Sequence, residues 1–355
     1  MPARRKSAPT APETKPAAKP AKRVTIVDVA VRAGVALGTV SRVINNKESV
    51  APALRERVNA AARELGYLPN SVAQSMRTQS TQVVGCMVSD ISNPLFSAPV
   101  SAAEEVLHRH GYSMMLSNSR NRAETEAEIL TLFQRRRFDG LIVTLSKEDD
   151  PDILKLLANC TIPTILLERE SSLPIDAVSV DHFGGTLQAM NYLIKLGHRR
   201  IGLVTATQAA LPGRQRRDAY RRAHRDAGIP VDETLLSPDV FLADAGYQSA
   251  YRMLVSANPP TAILAGANQM PQVLKVVRML KLAVPGKLSL VTLGDTDVAS
   301  LFEPALTAVR WDLAKVGTSA AELLLARMNS AVSARDSQRV TIPTELVLRD
   351  SCAQP

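Results

Sequence analysis

The chain has 355 residues, with 43 Lys+Arg against 34 Asp+Glu for a formal charge of +9, and only three cysteines. That length exceeds one ordinary domain and allows a small module beside a large core. No run of about 18 apolar residues is present to span a membrane. Cys86, Cys160 and Cys352 are odd in number and widely spaced, which excludes a disulfide framework or a cysteine metal site and fits a reducing cytoplasm.

Residues 1–22 are rich in Pro, Ala and Lys and read as a disordered basic arm. They lack the apolar segment of a secretory signal and serve either as a solubilising tail or as an extra contact to phosphates. Residues 24–45, VTIVDVAVRAGVALGTVSRVIN, then read as two short helices joined by a tight turn. Thr25 caps the first helix, which runs to Ala33 with Val27, Ala30 and Val31 on its buried face at i, i+3, i+4 spacing. Gly34 stops it. In the second helix Val40 and Val43 point inward, and Thr39, Ser41 and Arg42 point outward. This is the form of a helix-turn-helix, whose second helix enters the DNA major groove. Charge supports that reading: residues 1–80 hold 14 Lys+Arg against 5 Asp+Glu, whereas residues 81–355 balance at 29 each. A positive field concentrated beside a helical reader is the footprint of DNA binding.

A third helix follows from Pro52 to Leu65, with Leu54, Val58, Ala61, Ala62 and Leu65 in one stripe and Gly66 as its stop. Pro69 breaks it, and Asn70 can cap a short polar helix through Arg77. About two turns of polar helix are marginal in water, so this segment folds only when something orders it.

From Val83 the pattern changes. The runs VVGCMV, YSMMLS, GLIVTL and PTILLE alternate with helices near 96–110, 123–136 and 151–158. A second series follows, in which RIGLVTA, TAILAG and LSLVTL alternate with helices near 184–196, 214–227, 244–256 and 270–282. Buried strands alternating with helices predict parallel sheets covered on both faces, here in two similar lobes, with a ligand cleft at the carboxyl ends of the strands. The chain shows no nucleophile motif, metal cluster or phosphate loop. Its histidines, His108, His110, His182, His198 and His224, are scattered, so an enzyme is not expected.

DVAVRAGVALGTVSRVIN with the following ELGYLPNSVAQSM resembles the lac-repressor (LacI) family of bacterial transcription regulators. SDISNPLF, FDGLIV, VDHFGG, LGHRRIGLV and PALTAVR extend the resemblance over residues 24–350. It implies an α/β protein with a small all-α helix-turn-helix headpiece and a two-lobed core like a periplasmic binding protein. The expected organisation is the arm over 1–22, the headpiece over 23–68, a hinge helix and linker over 69–82, and an effector-binding and dimerisation core over 83–350. Three crossovers would join the lobes, with a return to the first lobe around 310–330.

The resemblance places Leu37, Gly38 and Arg42 in the major groove and makes Thr25, Thr39, Ser41 and Asn45 phosphate contacts. Asn70 belongs to the same surface, and Met76 stands where the family usually has the leucine that wedges open the minor groove. The partners implied are a near-palindromic duplex, a second copy of the chain, and a small sugar-derived effector; no cofactor or membrane is implied. For the effector the matching positions are Ser89, Asn93, Phe96, Glu168, Arg216, Phe241, Asn268 and Asp295. Phe241 either stacks on the ligand or packs between helices, and Trp311 either orients the cleft wall or sits in the core. Arg216 is read as the inward member of GRQRR, with Arg214 and Arg217 on a solvated face. Two polar positions are lost, since Ala267-Asn268 and Gly294-Asp295 replace the family's Asn-Asp and Asp-Asp pairs. A sugar acid, sugar phosphate or small polyol then fits better than a neutral pyranose in the usual pose.

Overall fold

The computed structural model describes residues 24–44, 50–68, 80–238, 244–329 and 336–355. The arm over 1–22, most of the expected hinge segment, and Asn45, Asn70, Met76 and Phe241 lie outside these residues. The chain divides into two units, Met1–Arg77 and Thr78–Pro355.

In the first unit, α1 (Ile26–Ala33), α2 (Leu37–Ile44) and α3 (Pro52–Leu65) close around a small core. A capping box starts α1: the Thr25 hydroxyl accepts from the Asp28 amide at 3.4 Å, and the Asp28 carboxylate accepts from the Thr25 amide at 2.7 Å. Such a cap contributes about 1 kcal/mol. Gly34 ends the helix at φ +62°, donating back to Ala30 and Val31. Arg57 of α3 fastens the same turn through the Ala33 carbonyl at 2.7 Å. The buried face differs from the expected one. Val29, Ala30 and Ala33 are buried, whereas Val27 and Val31 are 54 % and 78 % exposed. The i, i+3, i+4 rule allows either of two adjacent stripes sharing Ala30. The chosen stripe carries the small side chains, which let α1 approach Val40, Val43, Val58 and Ala61 closely.

The second unit holds two sheets. In lobe 1, β1 (Val83–Val88), β2 (Ser113–Asn118), β3 (Gly140–Val143), β4 (Thr164–Leu167), β5 (Asp176–Val180) and β10 (Arg339–Ile342) lie in the order β10-β5-β4-β3-β1-β2, all parallel. In lobe 2, β6 (Ile201–Val204), β7 (Ala262–Gly266), β8 (Ser289–Leu293), β9 (Thr307–Arg310) and β11 (Glu345–Val347) lie in the order β11-β9-β8-β7-β6, with β11 antiparallel. In lobe 1, α4 (Ser97–Arg109), α5 (Ala123–Arg135) and α6 (Pro151–Ala158) cover the sheet. In lobe 2, α7 (His182–Leu196), α8 (Leu211–Asp226), α9 (Ala245–Leu254), α10 (Met270–Met279) and the short α11 (Asp297–Leu301) do so. The chain crosses between lobes three times: from β5 to α7, from β9 to α12 (Leu313–Asn329), and from β10 to β11. The return predicted near 310–330 is α12, which packs on α4 in the lobe 1 core.

Strands β5, β9, β10 and β11 were not expected as elements. They are short, and β5 opens on a charge. Asp176 is nonetheless buried, because Arg327 of α12 reaches its two oxygens at 2.5 and 2.8 Å and the Gln338 amide donates at 2.6 Å. One carboxylate thus ties α12 and β10 to β5. The helix pair is equally tight, since a Cβ on Gly317 would lie 1.9 Å from the Pro99 carbonyl oxygen of α4. Gly317→Ala must push these helices apart. It is expected to lower unfolding free energy by about 1–3 kcal/mol or more, read from urea unfolding.

Candidate functional site

On the first unit, α2 presents an outward face held by its inward one. Val40 and Val43 are buried, which turns Leu37, 48 % exposed, together with Gly38 and Arg42 toward solvent. A Cβ on Gly38 would meet nothing within 4 Å, so this face is smooth enough for another surface to approach its backbone. Thr39 and Ser41 are half-buried beside it. Thr25 stands apart from a simple surface hydroxyl: its O–H donates to the Asp28 carboxylate at 2.7 Å within the cap.

On the second unit, a cleft of about 1120 Å³ opens between the lobes at the carboxyl ends of the strands. Ser89 and Asn93 follow β1, Glu168 and Arg169 follow β4, Thr205 follows β6, Asn268 and Gln269 follow β7, and Asp295 follows β8. At its centre a chain of polar groups crosses from lobe to lobe. Glu168, in the left-handed region at φ +57°, accepts from Nε2 of His182, the first residue of α7. His182 Nδ1 faces Arg216 of α8 at 3.4 Å. Trp311 meets the imidazole edge-on at a centroid distance of 5.5 Å and packs against the cores of both lobes, so both readings of it hold.

Arg216 is only 5 % exposed, and its hydrogen bonds to Thr205 and the Leu293 carbonyl are long, at 3.5 and 3.4 Å. Burial draws its pKa down to about 10, against the opposing pull of the Glu168 charge. Oε1 of Glu168 and Oε1 of Gln269 are buried with no partner among the described residues. Gly266 permits this crowding, since a Cβ there would lie 2.2 Å from the Gln269 oxygen and 3.2 Å from Arg216. Arg216, Glu168 and Gln269 thus line the cleft with donors and acceptors that the described residues satisfy incompletely. A hydroxyl group satisfies both.

The other expected residues divide. Asn268 is exposed on the wall. Ser89 is buried at the cleft floor, and Asn93 holds the following loop by accepting from the Leu95 amide at 3.1 Å. Phe96 lines the cleft but is 8 % exposed, packed in the lobe 1 core. Asp295 is not a free acceptor, because Arg349 takes both its oxygens at 2.9 and 2.8 Å. Arg217 is not on a solvated face either; it is buried and donates to the Ser237 carbonyl at 2.8 Å.

Sequence reasoning missed His182, Gln269 and Glu148. Glu148 belongs to lobe 1 yet accepts from the Leu211 amide at 2.7 Å, capping α8 of lobe 2, whose own N-cap Ala210 offers no side-chain bond. Its other oxygen pairs with Arg214 at 2.6 Å, and Arg214 also reaches Glu170 at 3.2 Å. A carboxylate at a helix N-terminus is stabilised by the helix dipole as well. Nearby, Leu95 of lobe 1 abuts Gly294 and Ala267 of lobe 2, with both its terminal methyls 3.2 Å from where a Gly294 Cβ would stand.

These contacts generate two expectations. Glu148→Ala strands the Leu211 amide and leaves Arg214 with Glu170 as its remaining carboxylate, so the core should lose about 1–3 kcal/mol and its radius of gyration should rise in solution scattering. The second concerns pH. Burial lowers the pKa of His182, His198 and His224 below the ordinary histidine range. The unfolded chain then binds more protons, so stability is intact above about pH 6.5 and is lost as pH falls below it. Glu126, raised by burial, works in the opposite direction and offsets part of the loss. The urea midpoint should be lower at about pH 5.5 than at about pH 7.5.

Two family descriptions match the chain: "Bacterial regulatory proteins, lacI family" over residues 25–70 and "Periplasmic binding protein-like domain" over residues 190–352. The HTH-type transcriptional regulator CelR of Thermobifida fusca is 33% identical over 339 residues, covering 93% of this chain and 98% of CelR. The HTH-type transcriptional repressor PurR of Haemophilus influenzae (strain PittEE) is 29% identical over 330 residues, covering 92% and 98%. Among solved structures, the lac repressor dimer bound to operator and the anti-inducer ONPF matches with a TM-score of 0.81 at 28% identity, covering 94% of this chain and 100% of that one. A CelR–cellobiose complex matches with a TM-score of 0.70 at 30% identity, covering 93% and 100%.

Proposed function

The chain belongs to the LacI family of bacterial regulatory proteins, and we propose that it is a repressor that reads a near-palindromic operator as a dimer and releases or tightens it in response to a polyhydroxylated effector. It is a DNA-binding transcriptional regulator and not an enzyme. The observation that carries the reading is the outward face of α2, where Leu37, Gly38 and Arg42 stand clear of the headpiece core. Arg42 pairs bidentately with guanine, Leu37 contacts a thymine methyl, and Gly38 admits the backbone close to the bases. Thr39 and Ser41, with Asn45 and Asn70, hold the phosphates and set register, while Thr25, whose amide and hydroxyl both donate to Asp28, serves the cap of α1. Met76 is the wedge at the central step.

We assign residues 1–22 to the arm, 23–68 to the headpiece, 69–82 to the hinge and 83–350 to the core. The protein works in the cytoplasm, where its DNA is. Dimerisation uses lobe 1: Met115 and Leu116, 52 % and 41 % exposed, lie on the edge strand β2. A relative crystallised as a dimer bound to operator supports dimerisation itself.

The effector occupies the interlobe cleft, and a relative solved as a CelR–cellobiose complex supports a sugar-derived ligand. Arg216 donates to its hydroxyl or carboxylate oxygens, and Glu168 and Asn268 accept from its hydroxyls, with Ser89 and Asn93 on the lobe 1 side. Asp295 acts through Arg349 rather than by touching the ligand. A ligand shifts the balance between lobe arrangements only by its difference in affinity for them. The Glu148 cap and the Leu95 contact are the interlobe terms it must work with. Through the dimer the shift separates or joins the hinge helices, which changes their hold on the minor groove.

Selection of random duplexes by the full chain should recover a near-palindrome with a flexible central step; no enrichment overturns the reading. On that duplex, Arg42→Ala should cost about 1–3 kcal/mol and relax preference at one position per half-site. Arg216→Ala should keep operator affinity while abolishing its response to a panel of sugars, sugar acids and polyols. Leu116→Asp should convert the dimer to a monomer with much weaker operator binding, read by sedimentation and by gel shift.

A further inference from the structure

Three consecutive arginines, Arg135, Arg136 and Arg137, close α5 and lead into β3. All three are exposed, and no ion pair or side-chain hydrogen bond engages them among the described residues. The core has no general excess of positive charge, since residues 81–355 balance at 29 cations and 29 anions. The cluster is therefore a local concentration. Exposed Arg109 and His110, at the end of α4, extend it, because α4 and α5 both end at the edge of the lobe 1 sheet where β1, β2 and β3 begin.

That edge is also where the chain arrives from the headpiece side. Asp139, two residues beyond the cluster, holds the incoming strand: it accepts from Ser80 Oγ at 2.5 Å, from the Thr81 amide at 2.9 Å and from the Gln82 amide at 2.8 Å. Thr81 also donates to the Arg137 carbonyl at 3.2 Å. The nearby carboxylate is thus committed to the backbone and does not pair with the arginines. Arg137 itself sits at φ +53°, in the position after a helix C-cap where glycine is favoured, and its amide bonds back to Gln134. A charged, strained residue stands where the uncharged, unstrained one would fold more easily.

We propose that Arg135, Arg136 and Arg137 form a second phosphate-binding surface on the core, which grips the DNA backbone beside the hinge without reading sequence. The proposal rests on the DNA-binding reading above. Chain length enforces the proximity: between Leu68 and Ser80 lie residues 69–79, which reach at most about 40 Å when fully extended and far less if helical. In sequence only Thr78 and Gln79 separate Arg77, the end of the expected hinge segment, from the stapled strand. Three unpaired guanidinium groups are suited to such a contact, each releasing condensed counterions on binding.

The test is the salt dependence of DNA binding by the full-length chain. It is measured on the duplex recovered by selection and on a mixed-sequence duplex of about 30 base pairs, long enough for headpiece, hinge and core together. The variant with Arg135, Arg136 and Arg137 all changed to Ala should bind both duplexes about tenfold or more weakly near physiological salt, with the ratio between them unchanged. Its slope of log K against log salt should be shallower by about 5, at about 0.9 per phosphate for the three arginines on each copy of the dimer. The triple change to Lys should restore most of the slope. Arg137→Gly separates folding from binding: its thermal midpoint should equal or exceed the parent's while the slope falls by about 2, one contact per copy. Parental slopes in the alanine variant overturn the proposal. Weaker operator binding at an unchanged slope also overturns it, because the cluster then acts only by positioning the hinge strand. A parent chain that binds neither duplex overturns the proposal and the functional reading together.

Discussion

A buried guanidinium that neither lobe can satisfy alone organises the core. Arg216 lies inside lobe 2 with only long contacts to its own lobe, and the charge that stabilises it belongs to Glu168 of lobe 1, relayed through His182. Leaving such a charge in an apolar interior without a partner costs several kcal/mol. Bringing the strand ends of both sheets together around it offsets part of that cost. The cleft, its depth and the composition of its walls follow from this pairing. The same incompleteness explains why the cleft can respond to a ligand. The unmatched oxygens of Glu168 and Gln269 and the weakly held donors of Arg216 gain more from a polyhydroxylated guest than saturated groups would.

A second set of interlobe contacts lies beside this centre and is independent of it. Glu148 caps a helix of the opposite lobe, and Leu95 fills the hollow left by two small residues, Ala267 and Gly294. The first is electrostatic and directional, and the second is apolar. Together they give the lobes a preferred arrangement that a ligand must either reinforce or disturb. The lost polar position at Gly294 gains a meaning here: the space beside it is occupied by Leu95 and Ala267.

The headpiece follows a different economy. Its core holds a few valines and alanines around α1, α2 and α3, too little to tolerate waste. Caps and turns carry much of the specification, through Thr25 with Asp28, Gly34, and Arg57 on the end of α1. Holding Val40 and Val43 inward leaves Leu37, Gly38 and Arg42 exposed on the opposite face of α2, available for DNA.

Local pattern alone was enough to read the three headpiece helices, with their cap and stop residues, and the alternation that builds two parallel sheets. These depend on interactions within four residues or on runs of consecutive buried side chains, both of which are written along the chain. It could not choose between the two possible faces of α1, because Val27 and Val29 satisfy the same periodicity and only packing against α3 separates them. Nor could it foresee that Asp295 is neutralised by Arg349, that Asp176 is buried against Arg327, or that Glu148 serves a helix 63 residues away. Those pairings exist only once the sheets have set their strand order and three crossovers have brought distant segments to one edge. They were decided by the tertiary structure, because the free energy of a buried charge depends on what lies across from it in space and not on its neighbours along the chain.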